Sequence, residues 1–227
     1  MASIGRVVDA RYDGHADWYD GEFATSELGL FGRRTVIELL GSGSGALVDL
    51  GCGGGSHAVA FAERGWRVTG VDVSEDQLRL ARARGVDTQP ARAEELPFAD
   101  ETFDAAVSMW THTDVDDFAA ATREIARVLR PGAPFVYFGA HPCFVGPHSE
   151  FVAALGTPTL HPGYRETSRY SSAPGISAAG LRGRVGATHL PLALFLQTFV
   201  AAGLTLERIE EPGGREYPYT LALRWGR

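Results

Sequence analysis

Hydrophobic and polar positions along this 227-residue chain fall into an alternation of short apolar runs and longer stretches of helical spacing. Apolar runs at 47–50, 66–72, 86–91, 103–109 and 133–140 predict five strands. The last is almost continuously apolar, as strands covered on both faces are. Between them the spacing changes to that of an amphipathic helix. One helix is predicted over 55–64. A second is opened by Ser74, with Gln77 three positions on in a capping-box arrangement. A third carries the stripe Phe118, Ala121, Ile125, Val128 and Leu129. Asp114, Asp116 and Asp117 at its start and Arg127 and Arg130 at its end complement the helix dipole, a structural reading of those charges. Pro131-Gly132 stops it. Farther on, 190–203 reads as a helix, and 204–211 and 216–225 as an antiparallel pair joined at Pro212-Gly213-Gly214. Strand–helix alternation of this kind predicts an α/β fold: a doubly wound sheet of about seven strands, mostly parallel, with an antiparallel last strand.

Two regions stand outside that alternation. Residues 1–44 read as a helical cover: Tyr12, Trp18, Tyr19, Phe23, Phe31, Val36, Ile37 and Leu40 recur at helical spacing and predict two helices before the first strand. Residues 141–188 are rich in Gly, Pro, Ser, His and Tyr with weak periodicity. A stretch this long between sheet elements, at the carboxyl edge of the sheet, predicts a lid and substrate wall. The whole is read as one domain.

The densest signal is Leu47-Val48-Asp49-Leu50-Gly51-Cys52-Gly53-Gly54-Gly55-Ser56. A strand ends in a carboxylate, breaks into glycines and becomes a helix, which is how α/β proteins admit a nucleotide. Asp72 ends the next apolar run about twenty residues later, where a carboxylate can hold both hydroxyls of a ribose. The nicotinamide fingerprint G-x-G-x-x-G is not met, because Ser56 occupies the sixth position. Asp49, two residues before the first glycine, would sit close to an anionic pyrophosphate but suits a cationic ligand, such as one with a sulfonium and an ammonium.

Leu47 to Gly55 and Val68-Thr69-Gly70-Val71-Asp72-Val73-Ser74 resemble the first two motifs of the class I S-adenosylmethionine-dependent methyltransferases. Ala93-Glu94-Glu95-Leu96-Pro97-Phe98, Phe103-Asp104 and Arg123 to Gly132 agree in order. The subgroup they resemble is the ubiquinone/menaquinone-biosynthesis-like one, which also contains natural-product methyltransferases. The resemblance covers roughly 12–140 and resumes weakly at 188–192 and 202–204. It implies a Rossmann-like fold, S-adenosyl-L-methionine as cofactor and S-adenosyl-L-homocysteine as product. The cofactor-binding residues it implies are Asp49, Gly51, Cys52, Gly53, Asp72, Val73, Ala93, Glu94, Trp110 and Tyr19. Arg92 departs from the Asp the family often has there, which shifts adenine recognition to the backbone of Ala93 and Glu94.

Composition narrows the acceptor. With 21 basic and 28 acidic residues the net charge is −7, which disfavours nucleic acid. Arg182 and Arg184 read as a solvated turn. Two cysteines give no disulfide framework. No run is long enough for a membrane span, and Met1 to Arg6 show no secretory leader. The expectation is a cytoplasmic enzyme, monomeric or homodimeric, acting on a small molecule.

Methyl transfer from a sulfonium is an in-line displacement, so positioning supplies much of the acceleration. A hydroxyl acceptor also needs a base, and histidine suits that task near neutral pH. His112, His141 and His189 lie at strand ends or junctions on the ligand face, and His141 and His189 are the preferred candidates. His148 and His161 fall in the lid. His141, Cys143 and His148 match no strong metal-ligand spacing, and no metal is expected. Arg165 or Arg169 could bind an acceptor carboxylate, though a solvated role is favoured. The reading is O-methylation of a small molecule. The alternatives are N- or C-methylation, a protein that binds the cofactor without methylating, and a nicotinamide oxidoreductase.

Overall fold

The computed structural model describes residues 10–150, 157–176 and 180–227. The first nine residues, read above for a leader, lie outside that set, as do parts of the lid. A short helix α1 (Ala16–Tyr19) passes into a π-helical turn (Asp20–Ala24), and α2 (Glu27–Leu40) follows. The sheet then begins with β1 (Ala46–Leu50), α3 (Ser56–Ala62), β2 (Arg67–Asp72), α4 (Glu75–Ala83) and β3 (Asp87–Pro90). It continues through β4 (Ala105–Met109), α5 (Phe118–Val128) and β5 (Pro134–Ala140). The lid holds β6 (Ser149–Glu150), β7 (Thr159–Leu160), β8 (Arg169–Tyr170), α6 (Leu181–Val185) and β9 (Ala187–Thr188). The chain closes with α7 (Leu192–Ala201), β10 (Thr205–Glu210) and β11 (Thr220–Gly226).

Seven strands form one sheet in the order β10-β11-β5-β4-β1-β2-β3. β11 runs antiparallel to both β5 and β10, while β5, β4, β1, β2 and β3 pair in parallel. The expected sheet is therefore present, each predicted strand displaced by a few residues at most. The lid is more regular than its composition suggested, because β6 pairs with β7 and β8 with β9.

Two apolar layers sandwich the sheet. One packs α5 and α7 through Phe118, Phe195 and Phe199 against Tyr137 and Trp225. The other packs α2 through Val36 and Leu40 against Leu47, Val107 and Phe138. α5 starts later than expected, at Phe118, because Asp117 is its N-cap and accepts from the Ala120 N–H. Asp114 and Asp116 are thereby released from the helix to the loop that follows β4. That loop lies at the point where strand order reverses, β1 having β2 on one side and β4 on the other. Crevices for ligands open at such a point.

Candidate active site

The glycine turn is shaped by what surrounds it. Gly51 has φ +72°, and a Cβ there would meet the Thr111 side chain at 2.5 Å. Gly53 has φ +52° and faces open space, with Gln77 Oε1 at 3.6 Å from where a Cβ would sit. Asp72 fixes this turn to the end of β2. Its two carboxylate oxygens accept from the Gly53 N–H at 3.0 Å and the Ser74 N–H at 2.9 Å. Each oxygen keeps a lone pair to offer. Burial raises the Asp72 pKa, opposed by the backbone donors around it.

A cleft opens above this turn. Gly51, Gly53, Asp72, Val73, Ala93, Glu94, Trp110 and Tyr19 line it. Asp49 and Cys52 do not line it. Cys52 is buried, its sulfur 2.7 Å from where a Cβ on Gly70 would sit, and its N–H is held by Val71 O. Its side chain therefore packs behind the turn. Asp49 stands behind the turn, 2% exposed, with Oδ2 lacking a hydrogen-bond partner among the described residues. Burial, and then the charge of Asp72, lift its pKa to about 7.

Further lining residues were not singled out from sequence: Arg11, Tyr12, Gln77, Asp114 and Asp116. Gln77 was read only as a capping residue. Its N–H does bond Ser74 Oγ, but its side chain turns toward Gly53 and leaves Oε1 buried and unpartnered among the described residues. Two orphaned acceptors beside a glycine turn suit a ligand that brings cationic donors. Asp114 corrects the purely structural reading of the three acids. It accepts from Tyr12 Oη at 3.1 Å and from Arg182 at 2.7 Å, while its backbone carbonyl accepts from Arg11. At the far end Arg92 bonds Glu94 Oε1 at 3.0 Å, so the departure from the family's Asp is tied down by a neighbouring acid.

A second cavity of about 310 Å³ lies under the lid. Phe23, Tyr170, Leu181 and Thr188 belong to its wall, and Arg182 is the one ionised side chain among its described lining residues. Arg182 is thus not a solvated turn residue. Burial works against its charge, but Asp114 together with Tyr12 and Tyr19 outweighs that, and its pKa is raised. Arg184 lies 5.5 Å over the Trp18 ring, so α6 is fastened to the N-terminal cover as well. Arg169 donates to Val185 O and does not line this cavity.

Tyr19 and Trp110 alone are shared by the described walls of both cavities. Tyr19 stacks on Phe23 at 5.1 Å, and Phe23 meets Trp110 edge-on at 5.5 Å. Trp110 has φ +62°, a left-handed conformation that costs a bulky residue roughly 1–2 kcal/mol. Such strain persists where the surroundings over-determine it, and here Phe138 holds Trp110 edge-on at 5.1 Å.

The three candidate bases differ in what their nitrogens already do. His141 spends both: Nδ1 accepts from the Cys143 N–H at 3.2 Å, and Nε2–H donates to Glu211 at 2.9 Å. His141 is also absent from the wall of either cavity. His112 lines the lid cavity, but its Nδ1 pairs with the Tyr137 hydroxyl and burial pulls its pKa down to about 3. His189 lines the same cavity and donates Nε2–H to Tyr164 O at 2.8 Å. A carbonyl only accepts, so the neutral ring carries its proton on Nε2 and presents a lone pair at Nδ1. Burial lowers the His189 pKa, opposed by the Tyr164 carbonyl.

Comparison with known proteins gives the same picture. A family model described as a methyltransferase domain matches residues 48–137. A ubiquinone/menaquinone biosynthesis C-methyltransferase of Desulfotalea psychrophila is 33% identical over 173 residues, spanning 70% of each chain. This chain belongs to the class I S-adenosylmethionine-dependent methyltransferases of the UbiE-like type. An O-methyltransferase of Aspergillus sclerotiorum is 40% identical over 110 residues, 44% of this chain and 42% of its own length. The chain thus spans less than half of that relative. In fold it is similar to an S-adenosylmethionine-dependent methyltransferase of Mesorhizobium loti (TM-score 0.71, 24% identity, 89% of this chain and 99% of that one). S-adenosyl-L-methionine is the cofactor of this methyltransferase. Among the described residues, no group of three or more His, Cys, Asp or Glu could hold a metal. No described helix is long and apolar enough to cross a membrane.

Proposed function

We propose that this methyltransferase transfers a methyl group to a hydroxyl of a small, planar, largely apolar acceptor, with His189 as the base. The observation that carries this is the meeting of two cavities at Tyr19 and Trp110, with His189, whose Nδ1 lone pair its bond to Tyr164 O leaves free, on the lid side.

The cofactor supplies an electrophilic methyl on a sulfonium. Asp72 accepts from the ribose diol with the lone pairs left on its carboxylate. Gly51 and Gly53 keep side chains out of the way of the methionine part. Asp49 and Gln77 draw its ammonium toward the turn, and Val73, Ala93 and Glu94 form the adenine wall. Tyr19 and Trp110 exclude water from the line between sulfur and acceptor, so orientation contributes most of the acceleration. His189 Nδ1 takes the hydroxyl proton as the oxygen attacks, a contribution of about 10²–10⁴ in rate. Aromatic walls at Phe23 and Tyr170 select a flat acceptor.

A second reading is C-methylation at a carbon beside such a hydroxyl. The relative most fully covered here is named a C-methyltransferase, and removing the same proton activates the neighbouring carbon.

Incubation with S-adenosylmethionine and a panel of phenols and hydroquinones tests both readings. Mass analysis detects the added methyl, and its proton resonance separates an O-methyl from a C-methyl product. In His189→Gln, turnover is expected to fall at least about a hundredfold with cofactor affinity held within twofold. Full turnover in that variant would remove the base from the account.

A further inference from the structure

His148 repeats the bonding of His189. Its Nε2–H donates to Cys143 O at 2.9 Å, which leaves its lone pair on Nδ1. The residue is 2% exposed, and Nδ1 has no hydrogen-bond partner among the described residues. The two imidazole rings lie 5.1 Å apart and are tilted by 50°. Both Nδ1 atoms converge on Gly146. A Cβ added there would lie 2.9 Å from Nδ1 of His189 and 3.0 Å from Nδ1 of His148. Only a residue without a side chain lets the two lone pairs face the same small space. A buried acceptor left unpartnered costs stability, so its retention calls for an explanation.

We propose that His148 is the positioning partner of His189: its Nδ1 receives the hydrogen bond of the proton that His189 takes from the acceptor. This rests on the reading of His189 as the base. In the neutral enzyme both Nδ1 atoms lie beside Gly146, and each ring carries its proton on Nε2, away from that space. When the acceptor O–H bond breaks, its proton goes to His189 Nδ1, and the oxygen's electron pair forms the new bond to the methyl carbon. The C–S pair returns to sulfur, leaving a neutral thioether. The product ether oxygen then withdraws, the new Nδ1–H is taken up by the orphaned Nδ1 of His148, and the proton leaves to solvent after product release. The orphan is thus satisfied only in the protonated pair, so the interaction raises the proton affinity of His189 and favours the protonated state that transfer leaves.

The other titratable groups around the pair are accounted for. Tyr164 packs edge-on against both rings and accepts from the Leu192 N–H, with the Cys143 sulfur 3.7 Å from its hydroxyl. On the lid ladder His161 pairs with Glu150 at 2.8 Å. His112 and Arg182 line the cavity that His189 faces. Only His148 offers His189 an orphaned nitrogen.

Histidine-selective 15N NMR of the full chain tests the proposal without an acceptor. Both rings are expected as Nε2–H tautomers at high pH, and the first proton is expected to move both Nδ1 resonances together. His148→Gln keeps an N–H donor toward Cys143 O and removes the Nδ1 acceptor; His189 should then lose about tenfold in proton affinity. His148→Asn keeps an acceptor near the Nδ1 position, and most of that loss should be recovered. The pH–rate profile with a methylated phenol from the panel should shift in step with these values. An unchanged His189 titration in His148→Gln overturns the pairing, whatever the turnover. A paired titration with full turnover in His189→Gln overturns its role in the reaction, and the base assignment falls with it.

Discussion

The two cavities differ in charge and in how they are built. The cofactor cleft is walled by Asp72, Glu94, Asp114 and Asp116, against Arg11 and Arg92. The lid cavity shows one ionised side chain, Arg182, among its described lining residues. A cationic cofactor on one side and an apolar hydroxylated acceptor on the other fit that difference. The cofactor cleft is also assembled largely from strand ends and their turns. The lid cavity depends on contacts across many residues, such as Arg182 to Asp114 and His189 to Tyr164. On the function proposed above, the sheet would hold the general reaction and the lid a particular acceptor.

The division breaks most visibly at Asp72. Asp72→Ala should weaken cofactor binding by about a hundredfold, since charge-assisted hydrogen bonds contribute about 1.5–3 kcal/mol each. Isothermal titration with S-adenosylhomocysteine reads this directly. Unchanged affinity would remove the ribose from β2.

Arg182→Met attacks the seam where the halves are fastened. It leaves Asp114 part-buried without its guanidinium, at an expected cost of about 2–3 kcal/mol. Thermal unfolding checks the stability, and titration should show weakened cofactor binding although the residue belongs to the lid. Loss of acceptor affinity alone would show that the halves are independent.

Gly146→Ala should act on the acceptor half only. Its Cβ would crowd both imidazoles, costing about 1–3 kcal/mol and most of the turnover. Cofactor affinity should stay within twofold.

Asp49→Asn sharpens the comparison through pH. The folded carboxyl titrates at about 7, above its unfolded value, so ionisation destabilises the native chain. The penalty is absent below the unfolded pKa, grows as pH rises toward 7 and is constant above that. The variant should therefore be more stable than the parent above pH 7, by up to about 4 kcal/mol for a carboxyl lifted from 3.8 to about 7, read as a higher unfolding temperature, with the difference vanishing near pH 4. It should bind cofactor more weakly at the same time. A stabilised variant with unchanged affinity would make Asp49 a packing residue.

Legibility in the sequence follows the same division. β1, the glycine turn and Asp72 are local: an apolar run, bare backbone and a carboxylate each announce themselves within a few residues. The mostly parallel sheet and its antiparallel end were readable because strand–helix alternation and the Pro212-Gly213-Gly214 turn leave few arrangements. Asp114 was misread as a helix-start charge, because its partners Tyr12 and Arg182 come from the two ends of the chain. The histidines could be listed but not ranked. Whether an imidazole has a free lone pair depends on partners such as Glu211, 70 residues from His141. Arg182 carried no local signal of burial. The strained backbone of Trp110 carried none either, since its side chain gives no hint of φ +62°.

A crystal structure with S-adenosylhomocysteine bound bears most directly on the meeting of the two cavities. The sulfur should lie between Tyr19 and Trp110, facing the lid cavity and His189, with both ribose hydroxyls on Asp72. A sulfur turned away from that aromatic gap, or a ribose seated off Asp72, would contradict the account.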